Sequence, residues 1–315
     1  MNGPSHLLRR SPTFNGRPMD TSPEALGELR SSIQIIGQPA ELRQRMQEDG
    51  YLFLPGLLRS GEVLEARQAV LEKLNALGYL APGRPIEAAL PKAGCKLSFM
   101  AELAKDNPAL DRVLYQGPLL EFFGNFLGDS VLHFDYTWFR PFTPGPDSIV
   151  APHYDIVYMG RGTKNLYSTW TPIGDLPVEE GGLMILEGSH RQREVINTYG
   201  RLDVDSYCTN YPDAGDIASG RKTAWQDWLK GGNYSNDGIG VREQLGGRWL
   251  TADFKAGDAL VFSMFTMHIM KDNQTDHIRF SSDSRYQLAS EPADERWIGA
   301  NPIGHGSLGK RGMIC

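Results

Sequence analysis

Residues 256–268 read AGDALVFSMFTMH, and the fold turns on how that run is interpreted. Gly257-Asp258 signals a turn, and 259–267 is a strand-like, almost wholly apolar run that ends on His268. A histidine at the end of a buried strand can reach a barrel interior. A second chemistry-bearing run, His153-Tyr154-Asp155, lies 115 positions earlier, after a loop rich in Pro and Gly from Pro141 to Pro152. If 153–159 is a strand, alternate side chains share a face, so His153 and Asp155 point the same way. Only a closed sheet would then bring His268 to them. Two imidazoles and one carboxylate make a facial triad with three open positions, a set that suits Fe(II) activating O2. His-x-Asp by itself is common, so the surrounding pattern has to carry the case.

Further strand-like runs lie at 131–140, 166–173, 183–186, 249–254 and 278–288, separated by turn residues such as Pro144-Gly145-Pro146 and Glu180-Gly181-Gly182. Many short strands of this kind predict a mainly β fold with flanking helices, a jelly roll or double-stranded β-helix of cupin-like form. The first half reads differently. Helices are expected over 39–49, over 60–77 with Ser60 as its cap, and over about 108–127, with a short strand at 51–54. In the second helix Leu64, Ala66, Val70, Leu71, Leu74 and Leu77 form the expected apolar face. The organisation is therefore a mobile N-terminal arm over 1–25, rich in Pro, Gly, Ser and Arg, and one domain over 26–315. That domain has a helical first half (about 39–127) and a jelly-roll core (about 131–290). A polar, Gly-rich insert at about 195–248, containing Trp225 and Trp228, is expected to cover the site.

Composition narrows the function classes. The 315 residues carry a net charge of −6 with both signs interspersed, which gives no footprint for nucleic acid or an anionic membrane. No run of about 18 apolar residues is present, and MNGPSHLLRRSPTFNGRP has no apolar core of signal-peptide length. The three cysteines, Cys95, Cys208 and Cys315, are far apart and lack CxxC spacing. Neither a zinc-thiolate site nor a disulfide framework is expected from them, and a reducing cytoplasm fits. A small-molecule substrate and a possible homo-oligomer complete the expected partners.

Arg279 follows His268 by eleven residues, on the next expected strand. Its planar fork there suits the distal carboxylate of a dicarboxylate such as 2-oxoglutarate. At this point the ordered set resembles the phytanoyl-CoA dioxygenase family of Fe(II)/2-oxoglutarate oxygenases. The parts are MQEDGYLFLPGLL at 46–58, HYD at 153–155, STWTPI around Trp170, EEGGLMILEGSHR at 179–191, AGDALVFSMFTMH at 256–268 and HIRFSSDSRYQ at 277–287. The resemblance spans roughly residues 40–290. It implies that His153, Asp155 and His268 hold Fe(II), and that Arg279 anchors 2-oxoglutarate. Trp170 would lie near the co-substrate, with Lys96 and Tyr136 as further contacts. It also implies that O2 is consumed and that succinate and CO2 leave while a small organic substrate is oxidised, most simply by hydroxylation. Related halogenases have a small residue in place of the carboxylate, so Asp155 argues against halogenation.

Other candidates have plainer readings. His277 is the rival distal ligand, but it lies two residues from Arg279 and should share its face. His190 reads as positioning a loop and His133 as a wall residue. His6 and His305 carry no pattern. Arg285 reads as a salt-bridge residue paired with Asp283 or a neighbour. Tyr154, Tyr158 and Tyr167 read as core or pocket wall, while Arg140, Arg161 and Lys164 could meet an anion or simply face solvent. Two alternative functions stay open. One is a cupin-type metalloenzyme that needs no 2-oxoglutarate, and the other is a non-catalytic small-molecule binding protein on the same fold.

Overall fold

The computed structural model describes residues 10–146, 149–222 and 232–315. The chain opens with β1 (Thr13–Phe14), β2 (Arg17–Pro18) and β3 (Leu26–Glu28). This corrects the expected arm over 13–25. β1 and β2 pair, Phe14 and Met19 are buried, and Asp272 receives the Asn15 and Gly16 amides at 3.0 and 2.8 Å. Residues 1–9 lie outside the described residues.

Helix α1 (Pro39–Asp49) takes the expected span, with Pro39 opening it and Gly50 closing it at φ 78°. After β4 (Tyr51–Leu54) comes α2 (Ser60–Ala76). Arg59, not Ser60, is its N-cap residue, and Leu64 and Leu77 are exposed rather than core. The single helix expected over 108–127 is two, α3 (Pro108–Tyr115) and α4 (Gly117–Leu127). Gln116 is extended between them, and Gly117-Pro118 starts the second afresh.

The jelly roll follows. Its elements are β5 (Val131–His133), β6 (Trp138–Phe142), β7 (Val150–His153), a single-turn helix α5 (Ile156–Met159), β8 (Tyr167–Pro172) and β9 (Leu183–Leu186). The insert contributes α6 (Arg193–Asn197), β10 (Ser206–Cys208), α7 (Ala214–Ala218) and α8 (Gly238–Leu245). Then come β11 (Trp249–Thr251), β12 (Ala259–Ser263), β13 (His268–Met270), β14 (Arg279–Leu288) and β15 (Arg311–Met313). One sheet runs β4-β12-β8-β14-β5, with β6 also on β14; the other runs β3-β11-β9-β13-β7.

The helices pack on the outer face of the first sheet, where Leu42, Val70 and Phe123 meet Phe280 and Tyr286. Between the sheets, Trp170, Ile185, Leu260, Phe262 and Met270 form a separate interior cluster. Alternation along β14 sorts its side chains between the two, which places Phe280 and Tyr286 outside and leaves Arg279, Asp283 and Arg285 facing in. Among the described residues no helix is long and apolar enough to cross a membrane.

The expected absence of disulfides is also corrected. Cys208 and Cys315 are bonded, because β10 and β15 pair in parallel and bring the two thiols together across 107 positions. Sequence separation had hidden that proximity, and the expectation of a reducing compartment loses its support.

Candidate active site

The ligand set is assembled by strand register. β7 and β13 are antiparallel neighbours, and His153 stands directly opposite His268. Their rings lie 4.2 Å apart, and one nitrogen or oxygen from each of His153, Asp155 and His268 falls within 4.8 Å of the others. The expected strand over 153–159 ends at His153. Asp155 has helical backbone angles (φ −63°, ψ −26°) and precedes α5. The turn into that helix, rather than strand alternation, sets the carboxylate beside His153, with Oδ1 3.4 Å from His153 Nε2 and 3.9 Å from His268 Nε2. The apolar stretch Ile156–Met159 resembled a strand but supplies a single buried helical turn.

Each ligand is fixed from behind. His153 Nδ1 donates to the Ala151 carbonyl (2.8 Å) and His268 Nδ1 to that of Thr266 (3.0 Å). Both Nε2 atoms are thereby left as lone-pair donors toward Asp155. Burial, reinforced by His153, pushes the His268 imidazole down to about 3, so it is neutral, the form that binds a metal. Burial, the largest single influence, would push the Asp155 carboxyl up, but Arg285 and the two histidines together outweigh it and hold the group well below the usual range. Arg285 Nη2 lies 3.0 Å from Asp155 Oδ2, and Ser168 Oγ donates to the same oxygen. Two imidazoles whose Nε2 atoms face one ionised carboxylate, all buried, fit a divalent iron with open positions.

Arg279 begins β14 and is wholly buried, with its guanidinium 4.4 Å from the Phe142 ring centre. Burial, helped by Arg140, pushes it down to about 9. A buried cationic fork of this kind suits a carboxylate. Trp170 is buried in the same interior, 4.6 Å from Phe254. Arg140 and Asp283 form an ion pair at 2.9 Å, and in this conformation the space they share with the triad is only about 10 Å³.

A larger cavity, about 630 Å³, adjoins that space and shares Arg140, His153, Asp155 and Arg285 with it, within the range of small-molecule sites. Tyr136, Trp138 and Trp297 line it as one aromatic cluster, with ring centres 4.8–5.2 Å apart. Tyr136 is thus brought to this outer cavity rather than the Arg279 interior. Lys96 is exposed and outside the cavity lining; Phe99, three residues on, reaches it.

The remaining candidates sort clearly. His277 pairs with Glu180 at 2.9 Å, in a groove that does not include the triad. His190 bonds the Gln47 carbonyl at 3.0 Å, and His133 stacks on Tyr115. Tyr158 lines the cavity, Tyr154 is buried with its hydroxyl donating to Ser189 O at 2.6 Å, and Tyr167 packs on Phe126. Arg161 pairs with Asp203 at 2.7 Å, and it and Lys164 face a different groove.

Two residues were misread. Arg285 braces Asp155 instead of pairing with Asp283, and its spacing from Arg279, which gives both the same face, was the available signal. His305 lines the cavity, along with Pro302 and Ile303. No pattern around it could have shown that. In the insert, Asn233 reaches the cavity, while Trp225 and Trp228 lie outside the described residues.

The model of the phytanoyl-CoA dioxygenase (PhyH) family matches residues 46–281. Two relatives named 1-deoxypentalenic acid 11-beta-hydroxylase, from Streptomyces arenae and Streptomyces exfoliatus, are 26% identical over 283 and 285 residues. Each match covers 85% of this chain and 87% of the relative. Among solved structures, the epimerase SnoN in complex with Fe3+, alpha ketoglutarate and nogalamycin RO superposes with a TM-score of 0.54 at 19% identity, over 86% of this chain and 94% of its own. The alpha ketoglutarate dependent carbocyclase SnoK gives 0.53 at 19% identity, over 80% and 85%. At these identities the structural likeness is one of fold.

Proposed function

The chain belongs to the phytanoyl-CoA dioxygenase (PhyH) family of iron- and 2-oxoglutarate-dependent oxygenases, and we propose that its own reaction is hydroxylation of a C–H bond in a small organic molecule held in the aromatic cavity. The observation that carries this reading is that His153 and Asp155 belong at once to the metal-ligating cluster and to the wall of the 630 Å³ cavity. The naming of both relatives as hydroxylases supports it.

In this reading His153, Asp155 and His268 would hold Fe(II), and Arg279 would take the distal carboxylate of 2-oxoglutarate. When bound, iron and 2-oxoglutarate supply activation of O2, with succinate and CO2 as co-products. The protein contributes order. Backbone carbonyls at Ala151 and Thr266 fix the imidazole rings, and Arg285 and Ser168 hold one Asp155 oxygen so that the other faces the metal. Tyr136, Trp138 and Trp297 hold the substrate and exclude water. Asn233, from the insert, lines the cavity, which supports a covering role for that part of the chain.

Anaerobic titration with Fe(II) and 2-oxoglutarate tests the reading. A visible charge-transfer band and O2-dependent succinate release, both lost in His153→Ala, are the expected results. Turnover that needs no 2-oxoglutarate would instead indicate a cupin-type metalloenzyme, and absence of iron affinity a binding protein.

A further inference from the structure

We propose that Lys271 is a second co-substrate-binding residue, whose side-chain nitrogen shares with Arg279 the distal carboxylate of 2-oxoglutarate. The inference rests on the reading above, since it concerns the co-substrate of the same site.

Lys271 directly follows β13, three residues after His268, and it is fully buried. Among the described residues its side chain makes one hydrogen bond, a long one from Nζ to the Gly182 carbonyl at 3.4 Å, and no ion pair. A lysine is rarely buried completely without a partner, because an ammonium taken out of water is strongly disfavoured unless an anion or several acceptors replace the solvent.

The surroundings of Lys271 are also those of Arg279. Met270 stands opposite Leu183, so the next residues on each strand, Lys271 and Gly182, are neighbours. A Cβ on Gly182 would lie 3.0 Å from Phe254 and 3.9 Å from Trp170, which places the carbonyl that Lys271 reaches against the interior cluster. Phe142 belongs to that same cluster. It is the strand partner of Arg279, and its ring lies under the Arg279 guanidinium. Asn273, two residues beyond Lys271, donates to the Phe142 carbonyl at 3.3 Å. The end of β13 and the start of β14 thus converge on one part of the interior, and each brings a buried basic side chain. Burial, helped by Arg279, pushes the Lys271 amine down to about 7.

The carboxylates around the pair are engaged elsewhere. Glu180 pairs with His277 at 2.9 Å. Asp272 accepts from the Thr13 hydroxyl at 2.6 Å and from the Asn15 and Gly16 amides. Asp253 accepts the Val178 amide at 2.8 Å, and it and Glu179 attract Lys271 without pairing with it. Two buried cations in one apolar region repel each other. A carboxylate set between them relieves that repulsion and gives Lys271 the acceptor it lacks.

The test is anaerobic titration of the Fe(II)-loaded protein with 2-oxoglutarate and with 2-oxopentanoate, which has a methyl group where 2-oxoglutarate has its distal carboxylate. Both chelate the metal through the same 2-oxo acid end, so growth of the charge-transfer band gives each dissociation constant. Lys271→Met keeps the length and apolar stem of the side chain. It is expected to weaken 2-oxoglutarate about 10–100-fold, the worth of a hydrogen bond to a charged group, and to leave 2-oxopentanoate unchanged. Lys271→Gln, which keeps a donor for the Gly182 carbonyl but loses the charge, is expected to show the same selective loss. A residue that only shapes the interior would weaken both acids alike. Equal losses for the two, or unchanged 2-oxoglutarate affinity in either variant, overturns the proposal. If wild type gives no band with 2-oxoglutarate, the oxygenase reading fails and this proposal falls with it; if the band is present, only the role of Lys271 is at stake.

Discussion

The two ends of the cavity are built by opposite means. At the metal end, His153 and His268 stand opposite each other on hydrogen-bonded strands, and Asp155 sits two residues past the end of β7. Every support there belongs to the jelly roll: Ala151, Thr266, Ser168 on β8 and Arg285 on β14. At the far end the wall comes from a loop of the insert and from the C-terminal segment. Those are held by one buried carboxylate, a three-residue parallel ladder and a disulfide. Sheet register brings the ligand set together, while the far wall draws on irregular segments as well as on Trp138 of β6.

The sharpest break in that comparison is at the metal end. Asp155→Ala removes the only carboxylate of the cluster and leaves Arg285 buried without its partner. Loss of 2-oxoglutarate turnover should exceed the roughly 100-fold typical of residues that merely orient a ligand. Succinate release measures it, and turnover within tenfold of wild type would remove Asp155 from the ligand set.

At the far end the corresponding change acts on stability. Asp205→Ala removes the buried carboxylate that Arg296, Lys310 and His305 share, which should cost about 3–5 kcal/mol by urea denaturation. The pH dependence has a definite sign. Burial pushes the Asp205 carboxyl up from 3.8, but His305 and Lys310 hold it down to about 2. A depressed folded-state value stabilises the protein above the unfolded value and is lost as pH falls. The gap between wild type and Asp205→Ala should therefore narrow between about pH 4 and pH 2. A gap constant over that window would mean the carboxylate's charge is not what holds the cluster.

The disulfide sharpens the same contrast. Cys208 and Cys315 close a loop of 107 positions, so Cys315→Ser or reduction should destabilise the protein by about 2–4 kcal/mol. The effect should concentrate at the far wall, raising KM for the substrate more than it lowers kcat. A matched fall in iron affinity would show that the two ends are not independent.

The difference between the ends also explains what the sequence could reveal. His153, Asp155 and His268 sit at fixed places among runs of turn residues and apolar strands, so local pattern pointed to the three residues that the fold brings together. The strand assumed for 153–159 was mistaken, because four apolar residues fit a buried helical turn as well as a strand. Gln116 split an expected helix, since the start signal of Gly117-Pro118 overrode an unbroken apolar face. Asp205, His305, Arg296 and Lys310 had no legible pattern. They meet only after the insert and the C-terminal segment have docked, and nothing local to any of them encodes that.

Arg285 lies on the boundary between these cases and offers the finest test. It shares its face with Arg279, yet spacing alone could not tell a pair with Asp283 from a pair with Asp155. The structure gives Asp283 to Arg140 and Asp155 to Arg285, at 2.9 and 3.0 Å. Arg285 also lies over Trp138, 4.6 Å from its ring centre, so one guanidinium touches both the metal carboxylate and the substrate wall. Arg285→Met keeps the length and apolar packing but removes the brace on Asp155. Iron affinity should then fall about 10–100-fold, measured by competition with a chelator. Arg285→Lys should recover little, because an ammonium cannot reproduce the fork that reaches Asp155 Oδ2 while its plane covers Trp138. Full recovery by lysine would show that charge alone suffices and that the planar contact with Trp138 does not help position the metal ligand.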